Sequence, residues 1–202
     1  MQLAIRFLAA AVVVAATVPL VQAQDQVRVR GTIERIEDGL YIVKARNGGE
    51  LKVRLPDNVM VVSLTKASLA DIKQGSYVGV SGMPQPDGSQ KALEVHIFPE
   101  AMRGVGDGHR GWDLQPSSTM TNGAVDQTSA SADGQVLTLK YKEGEKKIVV
   151  TPETVIVTYV PGDKSELKPG AKIFIAGANK KDDGTLEAAA VSVGRDGITP
   201  PM

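Results

Sequence analysis

Apolar and polar positions alternate along most of this chain. Val27, Val29, Gly31 and Ile33 interleave with Arg28, Arg30, Thr32 and Glu34, the two-residue period of a strand with one buried face. Asp38-Gly39 marks a turn, Leu40 to Ala45 a second strand, and Asn47-Gly48-Gly49 a hairpin turn, because Asn and Gly accept positive φ. Leu51, Val53 and Leu55 alternate with Lys52 and Arg54, and Val59 to Leu64 is β-branched enough for a further strand. Ser68 to Gln74 is the one helical stretch in this part: Ser68 suits a cap, Leu69 and Ile72 sit three apart, and Gly75 terminates. Tyr77 to Ser81 and Ala92 to Phe98 complete the unit. The order then recurs, with a weak strand at Ala124 to Ser129, clearer ones at Val136 to Lys142, Lys146 to Thr151 and Thr154 to Val160, a helical turn at Lys164 to Lys168, and strands at Lys172 to Ala176 and Leu186 to Val193.

The recurrence extends to individual residues. Asp71-Ile72-Lys73-Gln74-Gly75 through Gly82, then Asp87-Gly88 and Ala92 to Val95, returns as Glu166-Leu167-Lys168-Pro169-Gly170 through Gly177, then Asp183-Gly184 and Ala188 to Val191. The offset is 95, rising to 96 where Asp182-Asp183 replaces Asp87; Pro56 answers Pro152, and Gly31 answers Gly123. A repeat this long is a small domain, not a solenoid unit. Short, evenly spaced strands around one helical turn point to an all-β chain of two tandem small barrels. The expected boundaries are 24–98 and 123–195, with a non-repeated connector at 99–122 and a tail at 196–202.

The N-terminus changes the setting. Arg6 is the only charge before Asp25, Phe7 to Val18 is apolar apart from Thr17, and Val21-Gln22-Ala23 offers small residues for cleavage. This reads as a secretory signal peptide over 1–23, cut after Ala23. Its apolar run is too short, with Pro19 inside it, for the roughly 20 residues that span a bilayer. The expectation is a periplasmic or secreted bacterial protein that does not span the membrane once cleaved. The chain has no cysteine, which removes disulfides, thiolate nucleophiles and Cys-based metal sites. With 23 basic and 23 acidic residues overall, charge gives no reason to expect nucleic acid as a partner.

The pattern Gly-x-Val/Ile, hairpin, Pro-x-x-Val, Leu-x-x-Gly, Val-x-Val-x-Gly and Asp-Gly-x-x-x-Ala-x-x-Val resembles that of small uncharacterised bacterial exported proteins with tandem OB-like domains of unknown function. Glu100-Ala101-Met102-Arg103-Gly104, with Gly106, His109, Trp112 and Asp113, also looks like a stretch of such proteins. The resemblance covers residues 27 to 195 and rests on turn and core positions, so it implies two OB-like barrels and no particular activity.

Candidate chemistry concentrates in the connector, which holds the only Trp, one of two His and two of six Met. A connection of this length is commonly functional. One reading makes it a strap, with Trp112 buried between the barrels, its indole N–H hydrogen-bonded, and Arg103 paired with Asp113 or a strand-end carboxylate. Another makes Arg103, His109, Trp112 and Asp113 a ligand site, the two cations holding an anion and Trp112 stacking. A third uses Met102, His109 and Met120 as soft metal ligands, although their spacing matches no known pattern. His96 reads as a surface residue beside Glu94, since Val95 and Ile97 take the opposite face. No nucleophile elbow is present and no cofactor motif is complete. The sequence therefore favours a non-enzymatic binding or scaffolding protein of the envelope, its partner an envelope protein or small ligand. The alternative is a metal- or small-anion-binding protein, or an enzyme subunit, with its site in the connector.

Overall fold

The structure, a computed structural model, describes residues 26–132 and 134–201. The signal-peptide reading over 1–23 lies outside them. Fourteen strands account for the fold: β1 (Gln26–Glu37), β2 (Leu40–Ala45), β3 (Glu50–Arg54), β4 (Met60–Lys66), β5 (Tyr77–Pro84), β6 (Gln90–Ile97), β7 (Gly108–Gly111), β8 (Thr119–Ser131), β9 (Gly134–Tyr141), β10 (Gly144–Val150), β11 (Val155–Pro161), β12 (Lys172–Lys180), β13 (Leu186–Glu187) and β14 (Ala190–Gly194). Single 3-10 turns at Leu69–Asp71 and Lys164–Glu166 sit where the sequence predicts helical turns, and a third lies at Glu100–Met102.

The chain is all-β, and its strands close into rings. What departs from the sequence reading is who pairs with whom. β1, β2 and β3 do not close with β5 and β6. They close with β12 and β13, through β3–β13 in parallel and β12–β1 antiparallel. Reciprocally, β8, β9 and β10 close with β6 and β5. Neither 24–98 nor 123–195 forms a ring by itself; each ring takes three strands from one stretch and two from the other.

The crossing runs through β4 and β11, whose β-branched residues suit extended strands. The two arms meet antiparallel, with Leu64 opposite Tyr159 and Thr65 opposite Thr158. β14 joins β4 in parallel, and β6 joins β11 in parallel, so one continuous sheet runs through both rings.

The ladders of the two rings correspond at the offsets seen in the sequence. Val53 faces Leu186 in one ring and Ile148 faces Gln90 in the other; Gly31 faces Ile173, and Gly123 faces Val78. Each ring has its own apolar interior, one around Val29, Ile33, Val43, Val53 and Ile175, the other around Val80, Val95, Leu137, Leu139 and Ile148. A third core lies between them, built from Leu64, Tyr77, Phe98, Val157, Tyr159 and Phe174. Gly75 and Gly170 turn the chain into β5 and β12 with φ of 85° and 89°, a conformation that a side chain disfavours.

One element escaped the sequence pattern, and the weak strand expected at Ala124 to Ser129 proved longer. β7 reads Gly-His-Arg-Gly, with no strand preference, and forms only because β8 offers an edge. β8 is 13 residues long although small and polar, because β5, β7 and β9 all pair with it.

Candidate functional site

The connector leaves β6, makes its 3-10 turn, crosses the second ring as β7 and then reaches the first ring. Arg103 pairs with Glu100 and donates to the Gly75 carbonyl at 2.9 Å. It does not meet Asp113. His109 donates from Nδ1 to Thr121 Oγ1 at 2.7 Å, and the Thr121 hydroxyl donates to Gln90 Oε1 at 2.6 Å. Gln90 in turn donates to the Thr119 carbonyl at 2.9 Å, which fixes the direction of the whole chain of bonds. Burial, followed by the charges of Lys146 and Arg110, holds the His109 imidazole below its ordinary pKa.

Trp112 and Asp113 meet arginines of β1. The Arg30 guanidinium donates to both Asp113 oxygens, at 3.1 and 2.9 Å, and Arg28 lies 3.5 Å from one of them. Arg30 is well covered, its side chain only 11% exposed. The arginine fork first, then its charge and that of Arg28, keeps Asp113 below the usual carboxylate range. Arg28 lies 4.2 Å from the centre of the Trp112 ring, with Arg110 at 5.6 Å and Arg30 at 5.8 Å. Burial and the neighbouring Arg28 push Arg110 below the ordinary arginine value.

Thus the four connector residues read as a ligand site fall into three places. Trp112 and Asp113 are together; Arg103 sits against Tyr77, and His109 sits on Thr121. The cations around Trp112 are Arg28 and Arg30, read from sequence only as polar positions of a strand, and Arg110, which the sequence pattern did not single out. Trp112 is half-buried rather than largely buried, and its Nε1 has no hydrogen-bond partner, contrary to the expected bonded indole. An arginine over the ring face replaces that bond as the organising contact. Met102, His109 and Met120 do not converge either. His109 pairs with Thr121 and Arg110 with Met120 along β7–β8, so His109 and Met120 belong to opposite faces of the ladder. Among the described residues no group of three His, Cys, Asp or Glu side chains is placed to hold a metal.

A second cluster was misread. His96 is buried, only 2% exposed, not on the surface. Its face of β6 is covered by the core between the rings, with the Phe98 and Tyr159 rings at 4.7 and 5.7 Å. Glu94, 1% exposed, accepts from His96 Nδ1 and from Ser81 Oγ, each at 2.8 Å. Gly79 makes room for the imidazole: a Cβ there would fall on the ring and lie 2.7 Å from Asn122 Oδ1. Asn122 donates to the Val105 carbonyl at 2.9 Å, while its buried Oδ1 has no partner. The nearby Tyr77 hydroxyl, donating to Asp107 at 3.2 Å, is pushed up to about 12 by burial and then by that carboxylate. The carboxylate stands between serine and histidine here, so the imidazole is not placed to take the serine proton.

Searches against protein-family models, curated proteins and solved structures return no match. No helix among the described residues is long and apolar enough to cross a membrane.

Proposed function

We propose that this is an exported, non-enzymatic binding or scaffolding protein of the cell envelope, built from a duplicated OB-like unit whose two copies have traded strands. The ring order supports the OB-like reading. Counting the three-strand stretch of each ring first, its third strand (β3 or β10) pairs in parallel with the ring's last (β13 or β6), and its first (β1 or β8) pairs with the one before that (β12 or β5), as in a five-stranded Greek-key barrel. The export reading rests on the signal-peptide pattern at the N-terminus.

The observation that carries the binding reading is the crowding of Arg28, Arg30 and Arg110 around Trp112, with Asp113 paired to Arg28 and Arg30. Like charges held together beside a half-buried indole make an anion-favouring surface. Arg28 and Arg30 hold the connector on the first ring, and β7 pairs it with β8 of the second. Meanwhile both imidazoles are occupied, His96 by Glu94 and His109 by Thr121.

The rival is an enzyme, or enzyme subunit, with its site in the connector. Screening the mature protein against ester, phosphoester and glycoside substrates separates them. The binding reading predicts no turnover. Turnover lost in His109→Ala would overturn it.

A further inference from the structure

Trp112-Asp113-Leu114 is held against the first ring like a bound peptide. A cleft of about 410 Å³ lies between β1 and the β2–β3 turn. Val27, Leu51 and Leu114 supply apolar surface to it, and Arg28, Arg30 and Arg46 supply charge. Asp113 occupies part of it, on Arg30 and Arg28. Arg46, exposed and bonded through its backbone N–H to the Arg30 carbonyl, makes no ion pair among the described residues. Among the described residues lining the cleft, Arg28, Arg30 and Arg46 stand against the single carboxylate of Asp113, so this lining is positive.

The segment is also built to be displaced. Residues 112–118 close on themselves: Trp112 N donates to the Ser118 carbonyl at 2.8 Å, and Ser118 Oγ donates to the Trp112 carbonyl at 2.9 Å. The loop that carries Asp113 and Leu114 therefore keeps its own base when its tip leaves β1.

We infer that this cleft is a docking site for an acidic peptide segment with apolar neighbours, and that Asp113 and Leu114 occupy part of it in cis. Charge complementarity selects the partner: a planar carboxylate matches the Arg30 fork, flanking apolar side chains match Val27 and Leu51, and a second acidic residue reaches Arg46. A small inorganic anion would use the arginines alone. The inference deepens the binding-protein reading and rests on it, but its failure would leave a purely scaffolding role intact.

A tethered competitor acts at an effective concentration near the millimolar range, so the resident segment masks the cleft from weak ligands. The test is calorimetric titration of the full mature chain and its Asp113→Asn variant. The probe is an acetylated, amidated Ala-Leu-Asp-Leu-Glu peptide, with inorganic phosphate and acetate titrated separately. Asp113→Asn should bind the peptide at least about tenfold more tightly than the unmodified chain. Arg46→Gln in that background should weaken binding several-fold, and Arg30→Gln should remove it. Phosphate and acetate should bind at least tenfold more weakly than the peptide. Equal peptide binding by the two chains, or no binding by a folded Asp113→Asn protein, overturns the inference. So does phosphate binding as tightly as the peptide, which would mark a plain anion site. Because Arg30→Gln risks the fold, the exposed Arg46 variant decides if that protein fails to fold.

Discussion

Gly79 lies beneath His96 in one ring; at the matching ladder position of the other ring, Phe174 lies opposite Ser192. The exchange conserves bulk, a large side chain and a small one in each pair, on opposite strands. The polar surroundings are not conserved. Asn122 stands opposite Gly79, whereas Arg30 stands opposite Phe174, its guanidinium 5.0 Å from the ring. Ser81 and Glu94 are buried, but Ala176 and Ala190, their counterparts, are exposed. The same backbone ladder therefore carries a buried hydrogen-bonded polar cluster on one side and a stacked cation on the other. Neither set is demanded by ring closure. Buried polar groups cost free energy unless satisfied, so the Glu94 cluster holds only as a unit.

The sharpest way to break this comparison is to move one ring's pair into the other. Gly79→Phe should cost about 3 kcal/mol or more by overpacking against His96. Gly79→Phe with His96→Ser should recover most of that loss in urea denaturation. Two single losses that simply add would show that the pairs are not equivalent.

Next in size is the carboxylate. Glu94→Ala strands Ser81 and His96 and should cost about 3 kcal/mol. Ala190→Glu, at the exposed counterpart, should change stability by about 0.5 kcal/mol or less. Chemical denaturation of both variants measures the contrast.

Trp112→Ala should cost about 2 kcal/mol, below the range for a fully packed aromatic, because the ring is half-buried between Arg28 and Arg110. As the only tryptophan, it should emit at an intermediate wavelength and quench partly with acrylamide. Fully exposed emission would detach the connector from the first ring.

The smallest effect is an acid one. Glu166 accepts from Arg195 and from Ser63, and the arginine fork is the main cause of its pKa falling from 4.5 to about 2. The stability it contributes is fully present above pH 4.5 and is lost as pH falls from there toward 2. Partial exposure, 21% for its side chain, reduces this to about 1 kcal/mol. Its counterpart, Asp71, is bonded only to Ser68 in its own turn. Unfolding curves of Glu166→Gln between pH 6 and 3 should flatten relative to the unmodified chain, while those of Asp71→Asn should change less.

Most strands were legible because alternation reports which face of a strand is buried. Alternation carries no information about the partner. Leu51 and Val53 look alike whether β3 closes on β6 or on β13, so the exchange was invisible, and Val59 to Leu64 read only as one more strand. Of the connector residues singled out, Trp112 and its neighbour Asp113 lie against β1, whereas Arg103 and His109 lie elsewhere. Arg28 and Arg30 were passed over because an arginine that faces water and one that faces a strap occupy the same polar phase of a strand. His96 was misplaced for the converse reason: the polar phase of β6 is covered by a core that only the exchange creates.

The exchange is tested most directly across the two arms. The chain has no cysteine, and Thr65 faces Thr158 in the β4–β11 pair. Directly opposed residues of antiparallel strands lie about 4.5–5.5 Å apart at Cα, within the range a disulfide bridges. Thr65→Cys/Thr158→Cys should oxidise to an intramolecular cross-link in nearly every monomer, with peptide mapping joining the segment 60–66 to 155–161. Two contiguous barrels would hold these positions apart, and a reduced monomer, or cross-links only between molecules, would contradict the account.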